Sequence, residues 1–244
     1  MVYIWLRETA NWQDEAAFRA QLDPRFEPKV DVWNDTFDVP FHRFRHEIRR
    51  IAELNLSRVE HAAVASFDEI PTGALVLPVD DDDWFAPNAA RVLERHLAPE
   101  ISGYFWIASF LEVPINFGHR LALYRRAIFP RTPLRWTCST NNYAIVKRSD
   151  TKLLLENHMA ASAWFDGVGK DRVRRIEERL SVMNRTLASR TSLGFGRPSI
   201  RPRELIRKLR RYRALYSAPL APGLEWCRPY VSMMADLVGR LHVR

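Results

Sequence analysis

The chain has 244 residues, of which 47% are hydrophobic and 27% charged, and this composition excludes a disordered or low-complexity protein. Its longest uncharged apolar run, residues 101–111, is about half of the roughly 20 residues that span a bilayer, so we expect no transmembrane helix. Lysine and arginine outnumber aspartate and glutamate by 37 to 29, and the resulting charge of +8 favours anionic partners.

The first quarter of the chain predicts a strand, a helix, a second strand and another helix. Residues 1–8 are rich in β-formers and end near Arg7, and residues 11–22 have amphipathic helical spacing. Residues 26–36 contain Val-Asp-Val-Trp, which favours a second strand. Residues 41–55 carry apolar side chains at helical spacing and predict a helix.

The most informative stretch runs from Leu75 to Pro87 and reads Leu-Val-Leu-Pro-Val-Asp-Asp-Asp-Asp-Trp-Phe-Ala-Pro. Its apolar start predicts a short strand buried on both faces, as in a parallel sheet. Four adjacent carboxylates raise each other's pKa unless a cation lies among them, so a positive group is expected there. Period-two alternation would place Asp80 and Asp82 on one side, which makes them the candidate metal ligands.

An alternative is that the acidic run is a solvated turn, or that one Asp caps the helix predicted for residues 88–97. Trp84 and Phe85 argue against this alternative, because carboxylates placed between buried apolar residues need a reason beyond solubility. Divalent cations prefer oxygen ligands, and ligands of open α/β sheets bind where the strands end. The stretch therefore predicts a Mg²⁺ or Mn²⁺ site.

The remaining chain predicts further elements and one strongly basic segment. Between Arg197 and Arg213 lie eight basic residues and one acid, with Leu205 and Leu209 among the apolar positions at helical spacing. The other predictions are a strand at 101–111, an irregular loop at 120–135, a polar loop leading into a strand at 136–147, and helices at 151–163 and 224–241. Cys138 and Cys227 lack metal-ligand spacing and are expected to be free thiols.

The Asp80-x-Asp82-Asp83 pattern, preceded by an apolar strand and followed by two apolar residues and Pro87, resembles the Asp-x-Asp region of GT-A fold glycosyltransferases. The likeness is to the family 2 type, including bacterial chains described as rhamnosyltransferases. It implies an α/β fold, namely a Rossmann-like nucleotide-sugar-binding domain at residues 1–194 with a mixed, mostly parallel sheet. Residues 195–244 would then form a basic helical C-terminal extension.

The resemblance also implies a ligand set. Asp80 and Asp82 would hold Mn²⁺ or Mg²⁺ against the diphosphate of a nucleotide sugar, and Asp80 would also reach the nucleotide. Arg7, at a strand end, and Arg58, in the region before the acidic strand, are candidate diphosphate contacts, although a surface role is an alternative for each.

The acceptor side is assigned to three further residues. Asn141 and Asn142 are candidate hydroxyl binders, although Asn-Asn also suits a turn. Asp166 is the candidate acceptor base, with Glu156, His158 and Asp171 as alternatives, because the Glu-Asp pair usual in this family is missing here.

The expected function is sugar transfer from a nucleotide diphosphate donor to a hydroxyl of a glycan or lipid-linked acceptor. The alternatives are a metal-dependent nuclease or phosphatase, and a nucleic-acid- or membrane-binding module that uses the basic segment. We expect a cytoplasmic protein that contacts the inner face of an anionic membrane peripherally, and we do not expect nucleic acid as a partner.

Overall fold

The computed structural model describes residues 1–7, 14–22, 24, 27–60, 63–64, 66–112, 128–131, 142–156, 158–185, 216, 219–242 and 244. Its strands are β1 (Val2–Leu6), β2 (Ala63–Val64), β3 (Leu75–Val79), β4 (Trp84–Phe85), β5 (Gly103–Trp106), β6 (Ala108–Glu112), β7 (Ile128–Arg131), β8 (Tyr143–Val146), β9 (Val173–Ile176) and β10 (Ser181–Arg185). Its α-helices are α1 (Glu15–Gln21), α2 (Glu27–Thr36), α3 (Phe41–Leu56), α4 (Ala89–His96), α5 (Thr151–Glu156), α6 (His158–Gly167) and α7 (Arg228–Gly239).

The chain divides into two compact units, each built from separated segments. The first unit comprises Met1–Glu8, Leu54–Ser109 and Pro130–Met183. The second comprises Thr9–Glu53, Phe110–Phe129 and Asn184–Arg244. The division at residue 194 that the sequence suggests stays a prediction.

A six-stranded sheet of order β2-β1-β3-β8-β5-β9 forms the centre of the first unit. Strands β1, β2 and β3 pair in parallel, as do β5 and β9, whereas β8 is antiparallel to both of its neighbours. Five of the six strands therefore point in one direction. The predicted α/β class with a mixed sheet is confirmed, and it is compatible with a Rossmann-like fold.

Strand β3 is buried along its whole length, as its apolar sequence predicts. One face of the sheet packs against α5 and α6 through Val76, Phe105, Tyr143, Leu155 and Phe165, all of them buried. Leu75, Leu77 and Val79 on the opposite face are also at most 1% exposed. A β3 buried on both faces fixes the position of the acidic run that follows it.

A second sheet has the strand order β4-β10-β6-β7. Strands β4 and β10 are antiparallel, with Trp84 opposite Val182 and Phe85 opposite Ser181. The predicted single strand at residues 101–111 is divided into β5 and β6, because the chain leaves one sheet after Trp106 and enters the other at Ala108. Part of the predicted loop at 120–135 is also a strand, β7.

The second strand predicted at residues 26–36 is wrong, because Glu27–Thr36 form helix α2. Val30, Trp33 and Phe37 recur at helical spacing and are at most 2% exposed. The Trp33 ring packs against those of Phe37, Phe41 and Phe44, with centroids 4.5 to 5.5 Å apart. This packing of an apolar helical face outweighs the β-propensity of the Val-Asp-Val-Trp segment.

The helices predicted at 41–55 and 224–241 correspond to α3 and α7, and the helix predicted at 151–163 corresponds to α5 and α6. Within the second unit, the C-terminal residues bond to the end of α2 and the residues after it: Asp38 N–H donates to the His242 carbonyl, His242 N–H donates to Asp38 Oδ1, and Arg244 N–H donates to the Thr36 carbonyl. Cys227 is a free, buried thiol, whereas Cys138 and the basic segment at 197–213 lie outside the described residues.

Candidate functional site at the carboxyl edge of the sheet

The carboxyl ends of β1 and β3 bring two of the predicted site residues together. Leu6 pairs with Val79 in the parallel register, and the Arg7 N–H donates to the Val79 carbonyl at 3.0 Å. Continuing this register places Arg7 beside Asp80 on the face covered by α5. Parallel strands end at one edge of a sheet, which is where ligands bind in open α/β proteins.

Arg7 and Asp80 form a close ion pair at this edge. Arg7 Nη2 lies 2.6 Å from Asp80 Oδ1, and the two side chains are 8% and 30% exposed. Arg7 Nη1 also donates to the Leu155 carbonyl of α5 at 3.0 Å. The guanidinium thus joins the ends of β1, β3 and α5, and it is not the surface arginine that one interpretation of the sequence allowed.

Burial tends to lower the pKa of Arg7, but Asp80, Tyr143 and Asp83 together outweigh burial, and the pKa lies above its ordinary value. Arg7 is therefore a positive group of the kind that adjacent carboxylates favour, and it pairs directly with Asp80. Its role as a diphosphate contact stays a prediction.

The four aspartates form a turn rather than an extension of β3, since the Asp83 N–H donates to the Asp80 carbonyl at 3.3 Å. Asp81 and Asp83 are 3% and 4% exposed, whereas Asp80 and Asp82 are both partly exposed. Exposure therefore alternates along the run, but a turn produces the alternation and not the strand pleat from which the sequence argument started. Asp80 and Asp82 are the two carboxylates that solvent reaches more readily.

Asn55 fixes the chain that follows the aspartate turn, and sequence reasoning did not identify it. Its side-chain amide donates to the Phe85 carbonyl at 2.9 Å, and its Oδ1 accepts from the Phe85 N–H at 2.7 Å. Asn55 is fully buried, so both bonds are shielded from water. The only sequence signal was a polar residue within the apolar row of a predicted helix.

Asn142 lies at the same edge because the antiparallel strand β8 begins there. It is fully buried, and its Nδ2 donates to the Trp106 carbonyl at 2.9 Å. The Trp106 N–H donates in turn to the Asn142 carbonyl. These bonds give Asn142 a structural role at the end of β5; its predicted acceptor contact stays a prediction, and Asn141 lies outside the described residues.

The other two predicted residues lie elsewhere in the first unit. Arg58 is exposed in the turn after α3, where its N–H donates to the Asn55 carbonyl. Asp166 is exposed near the end of α6, next to Trp164 and Phe165, whose rings abut Gly103 at the start of β5. These neighbours belong to the edge where the parallel strands begin, opposite the edge that carries Arg7 and Asp80.

Helix α5 is joined to the ion pair through the backbone of Leu155, near the end of that helix. Leu155, whose carbonyl accepts from Arg7, is followed directly by Glu156, the last residue of α5. His158 begins α6. Two of the three alternative base candidates therefore belong to a backbone segment anchored at the carboxyl edge.

Asp80 and Asp82 are the partly exposed carboxylates of this edge that could hold a divalent metal. Among the described residues, no three His, Cys, Asp or Glu side chains are grouped as a complete metal site. Magnesium at phosphate-binding sites is held by one or two carboxylates together with substrate oxygens and water. The donor set fits a metal that binds together with a phosphorylated ligand.

A cavity of about 400 Å³ lies in the second unit, between Phe44 of α3 and Leu237 of α7. None of the predicted site residues lines it. None of the helices in the described ranges is long and apolar enough to cross a membrane.

The chain matches no protein-family model, and no curated protein is significantly similar to it in sequence. Functional inference for this chain therefore rests on the carboxyl edge itself.

Proposed function

We propose that the chain is a metal-dependent glycosyltransferase with a GT-A-type nucleotide-sugar site, and that it transfers a sugar from a nucleotide diphosphate to a hydroxyl of a glycan or lipid-linked acceptor. The observation that carries the proposal is the position of Asp80 and Asp82. They are partly exposed and directly follow a fully buried strand, at the carboxyl edge of a mainly parallel sheet.

Each group at this edge has a role in the proposal. Asp80 and Asp82 hold Mn²⁺ or Mg²⁺, which when bound neutralises the charge that develops on the departing diphosphate. Arg7 orients Asp80 through the 2.6 Å contact. Its positive charge also offsets the negative charge of the aspartate turn before the donor binds. Asn55 keeps the chain after the turn in place by binding both backbone groups of Phe85.

Nucleotide binding tests the metal site. The full-length chain is titrated with a panel of nucleoside diphosphates, with Mn²⁺ or with chelator, and binding is followed by thermal shift and calorimetry. We expect binding only with the metal, and we expect Asp82→Asn to fold normally yet lose it. Asp150→Asn, an exposed aspartate in the turn before α5, is the matched control and should bind as the wild type does.

Metal-independent binding by Asp82→Asn would refute the metal site. Absence of nucleotide binding, combined with metal-dependent cleavage of phosphodiesters or phosphomonoesters, would replace the transferase with the nuclease or phosphatase alternative. The second result is scored with the same Asp82→Asn and Asp150→Asn variants, so that cleavage is assigned to the same carboxylates.

The acceptor base is tested by comparing two carboxylates. Loss of a general base lowers turnover by roughly 10²-fold or more while leaving donor affinity nearly unchanged. Asp166→Asn tests the candidate from the sequence, and Glu156→Gln tests the residue that follows the Arg7-bound carbonyl. Because Glu156 directly follows the carbonyl that Arg7 binds, we expect the larger loss of turnover in Glu156→Gln. A loss confined to Asp166→Asn would assign the base to Asp166.

A further inference from the structure

We propose that Arg148, Ser102 and Arg172 form a binding site for a phosphate group, carried as the free anion or as a small phosphomonoester. The site lies at the edge of the six-stranded sheet where the parallel strands begin, opposite Asp80. It does not depend on the proposed sugar transfer, and it would bind its ligand without a metal.

Two guanidinium groups converge on one hydroxyl in this cluster. Arg148 Nη2 donates to Ser102 Oγ at 2.9 Å, and Arg172 Nη2 donates to the same oxygen at 2.8 Å. Ser102 is 2% exposed, so the oxygen that both arginines share is buried. The two cationic groups are thus held within a few ångströms of each other by a neutral acceptor.

The three residues are fixed by neighbouring strands. Ser102 directly precedes β5, Arg172 directly precedes β9, and Arg148 follows β8, and these strands are adjacent in the sheet. The Ser102 N–H donates to the Arg172 carbonyl at 2.8 Å, and the Val146 N–H donates to the Ser102 carbonyl at 2.9 Å. The Arg148 N–H donates to Thr151 Oγ1 at 2.8 Å, which fixes the turn after β8.

No carboxylate neutralises this arginine pair in the described part of the chain. Neither guanidinium has an acidic oxygen of a described residue within 4.0 Å, although Asp150 and Asp171 are close in sequence. Arg174 on the same edge differs, because it bonds the His96 carbonyl and lies 3.7 Å from Glu100. Two like charges this close repel each other, and an anion between them converts the repulsion into attraction.

The geometry favours a phosphate as that anion. Each guanidinium has five N–H donors, and Ser102 accepts from only one of them in each arginine. The remaining donors of two forks can bind several oxygens of a tetrahedral anion. A phosphate dianion also matches the charge of two guanidinium groups, whereas a carboxylate or chloride neutralises only one.

The test uses the full-length chain in chelator, so that metal-dependent nucleotide binding does not contribute. Inorganic phosphate is compared with chloride at constant ionic strength by calorimetry and thermal unfolding. We expect phosphate to bind and to raise the unfolding temperature beyond the effect of chloride. Arg148→Ala and Arg172→Ala should each weaken binding by roughly tenfold or more, as expected for loss of a charge-assisted hydrogen bond.

Arg95→Ala is the matched control, because Arg95 is an exposed arginine on α4 of the same unit. It should bind phosphate as the wild type does.

If an alanine variant is not folded by circular dichroism, Arg172→Gln removes the charge while keeping a donor for Ser102. Equal effects of phosphate and chloride on the wild type, or an equal loss in Arg95→Ala, would overturn the proposal. Glycerol phosphate distinguishes a free phosphate site, which it would not occupy, from a monoester site.

Discussion

At the scale of single residues, the ion pair of Arg7 and Asp80 connects the elements that meet at the carboxyl edge of the sheet. The guanidinium is 8% exposed and bonds both a carboxylate and a backbone carbonyl, so removing it leaves two acceptors without their donor. Unsatisfied groups in a largely buried position are costly, whereas an ion pair in water contributes little. The pair therefore stabilises the site in a way that exposed pairs of the same unit do not.

Replacing Arg7 with methionine should lower the free energy of unfolding by about 1–3 kcal/mol, because Asp80 and the Leu155 carbonyl lose their partner. Urea unfolding of the full-length chain measures the change. Arg175→Met breaks an exposed pair with Glu177 and should cost at most about 1 kcal/mol. Adding Asp80→Asn to Arg7→Met should recover part of the loss, and equal costs for Arg7→Met and Arg175→Met would contradict a buried pair.

At the scale of the element, helix α6 lies so close to strand β5 that only glycine fits at the start of that strand. A Cβ at Gly103 would come within 2.8 Å of Phe165 Cε1 and of Trp164 Cζ3. These rings belong to a cluster in which Phe165 also packs on Phe105 and Tyr143, with ring centroids 6.1 and 5.8 Å apart. The aromatic side chains have little room to move away.

Gly103→Ala should therefore destabilise the chain by about 1–3 kcal/mol through overpacking. Gly167→Ala is the matched control: Gly167 ends α6, and a Cβ at this position would meet no atom within 4 Å. Its substitution should be neutral or stabilising by up to about 1 kcal/mol, because alanine loses less backbone entropy in a helix. Unfolding midpoints in urea compare the two variants. Similar midpoints would show that α6 shifts to accommodate the added methyl group at little cost.

At the scale of the whole molecule, one buried histidine links stability to pH. Burial lowers the pKa of His42 below its ordinary value of 6.5, with Glu15 acting in the opposite direction. Between the lowered pKa and 6.5 the unfolded chain binds more protons than the folded one, so stability falls as the pH falls through this window. Above 6.5 the contribution of His42 is constant.

Urea unfolding at a series of pH values measures this contribution. His42→Gln should reduce the loss of stability on acidification, because the unfolded state no longer gains a proton at this position. The same pH dependence in His42→Gln and the wild type would exclude His42 as the titrating group.

The charge of +8 leads to a prediction about partners. If the basic segment at 197–213 contacts an anionic membrane, the full-length chain should bind anionic vesicles at low salt and dissociate as salt rises, with each basic residue near the surface contributing about 1 kcal/mol. Cosedimentation measures binding. Reversing the charges of Arg207, Lys208, Arg210 and Arg211 to Glu should abolish it.

A matched control reverses four exposed arginines outside the segment, namely Arg43, Arg50, Arg95 and Arg228. It changes the net charge equally and should keep most of the vesicle binding. Equal losses in the two variants would assign binding to net charge alone. If the chain does not bind vesicles but slows the migration of nucleic acid in a gel, the nucleic-acid alternative is favoured.

The sequence by itself determined the elements whose signals are local. The apolar run of β3 predicts a strand buried on both faces, and the apolar row of α3 predicts a helix, because burial and helical spacing leave a periodic trace in a short window. The order of residues at 75–87 also placed Asp80 and Asp82 on one side of an extended run, whereas the structure forms a turn there, in which Asp81 and Asp83 are the buried pair. Such information is carried within about a dozen residues.

Only the tertiary structure decided which distant groups meet. Arg7 finds Asp80 through the register of two parallel strands, and it finds the Leu155 carbonyl through the packing of α5. Residues 27–36 became helix α2 because Trp33 packs among the rings of Phe37, Phe41 and Phe44, whereas their local β-propensity favoured a strand. Register and packing depend on contacts between residues far apart in the chain, so no short window of sequence contains them.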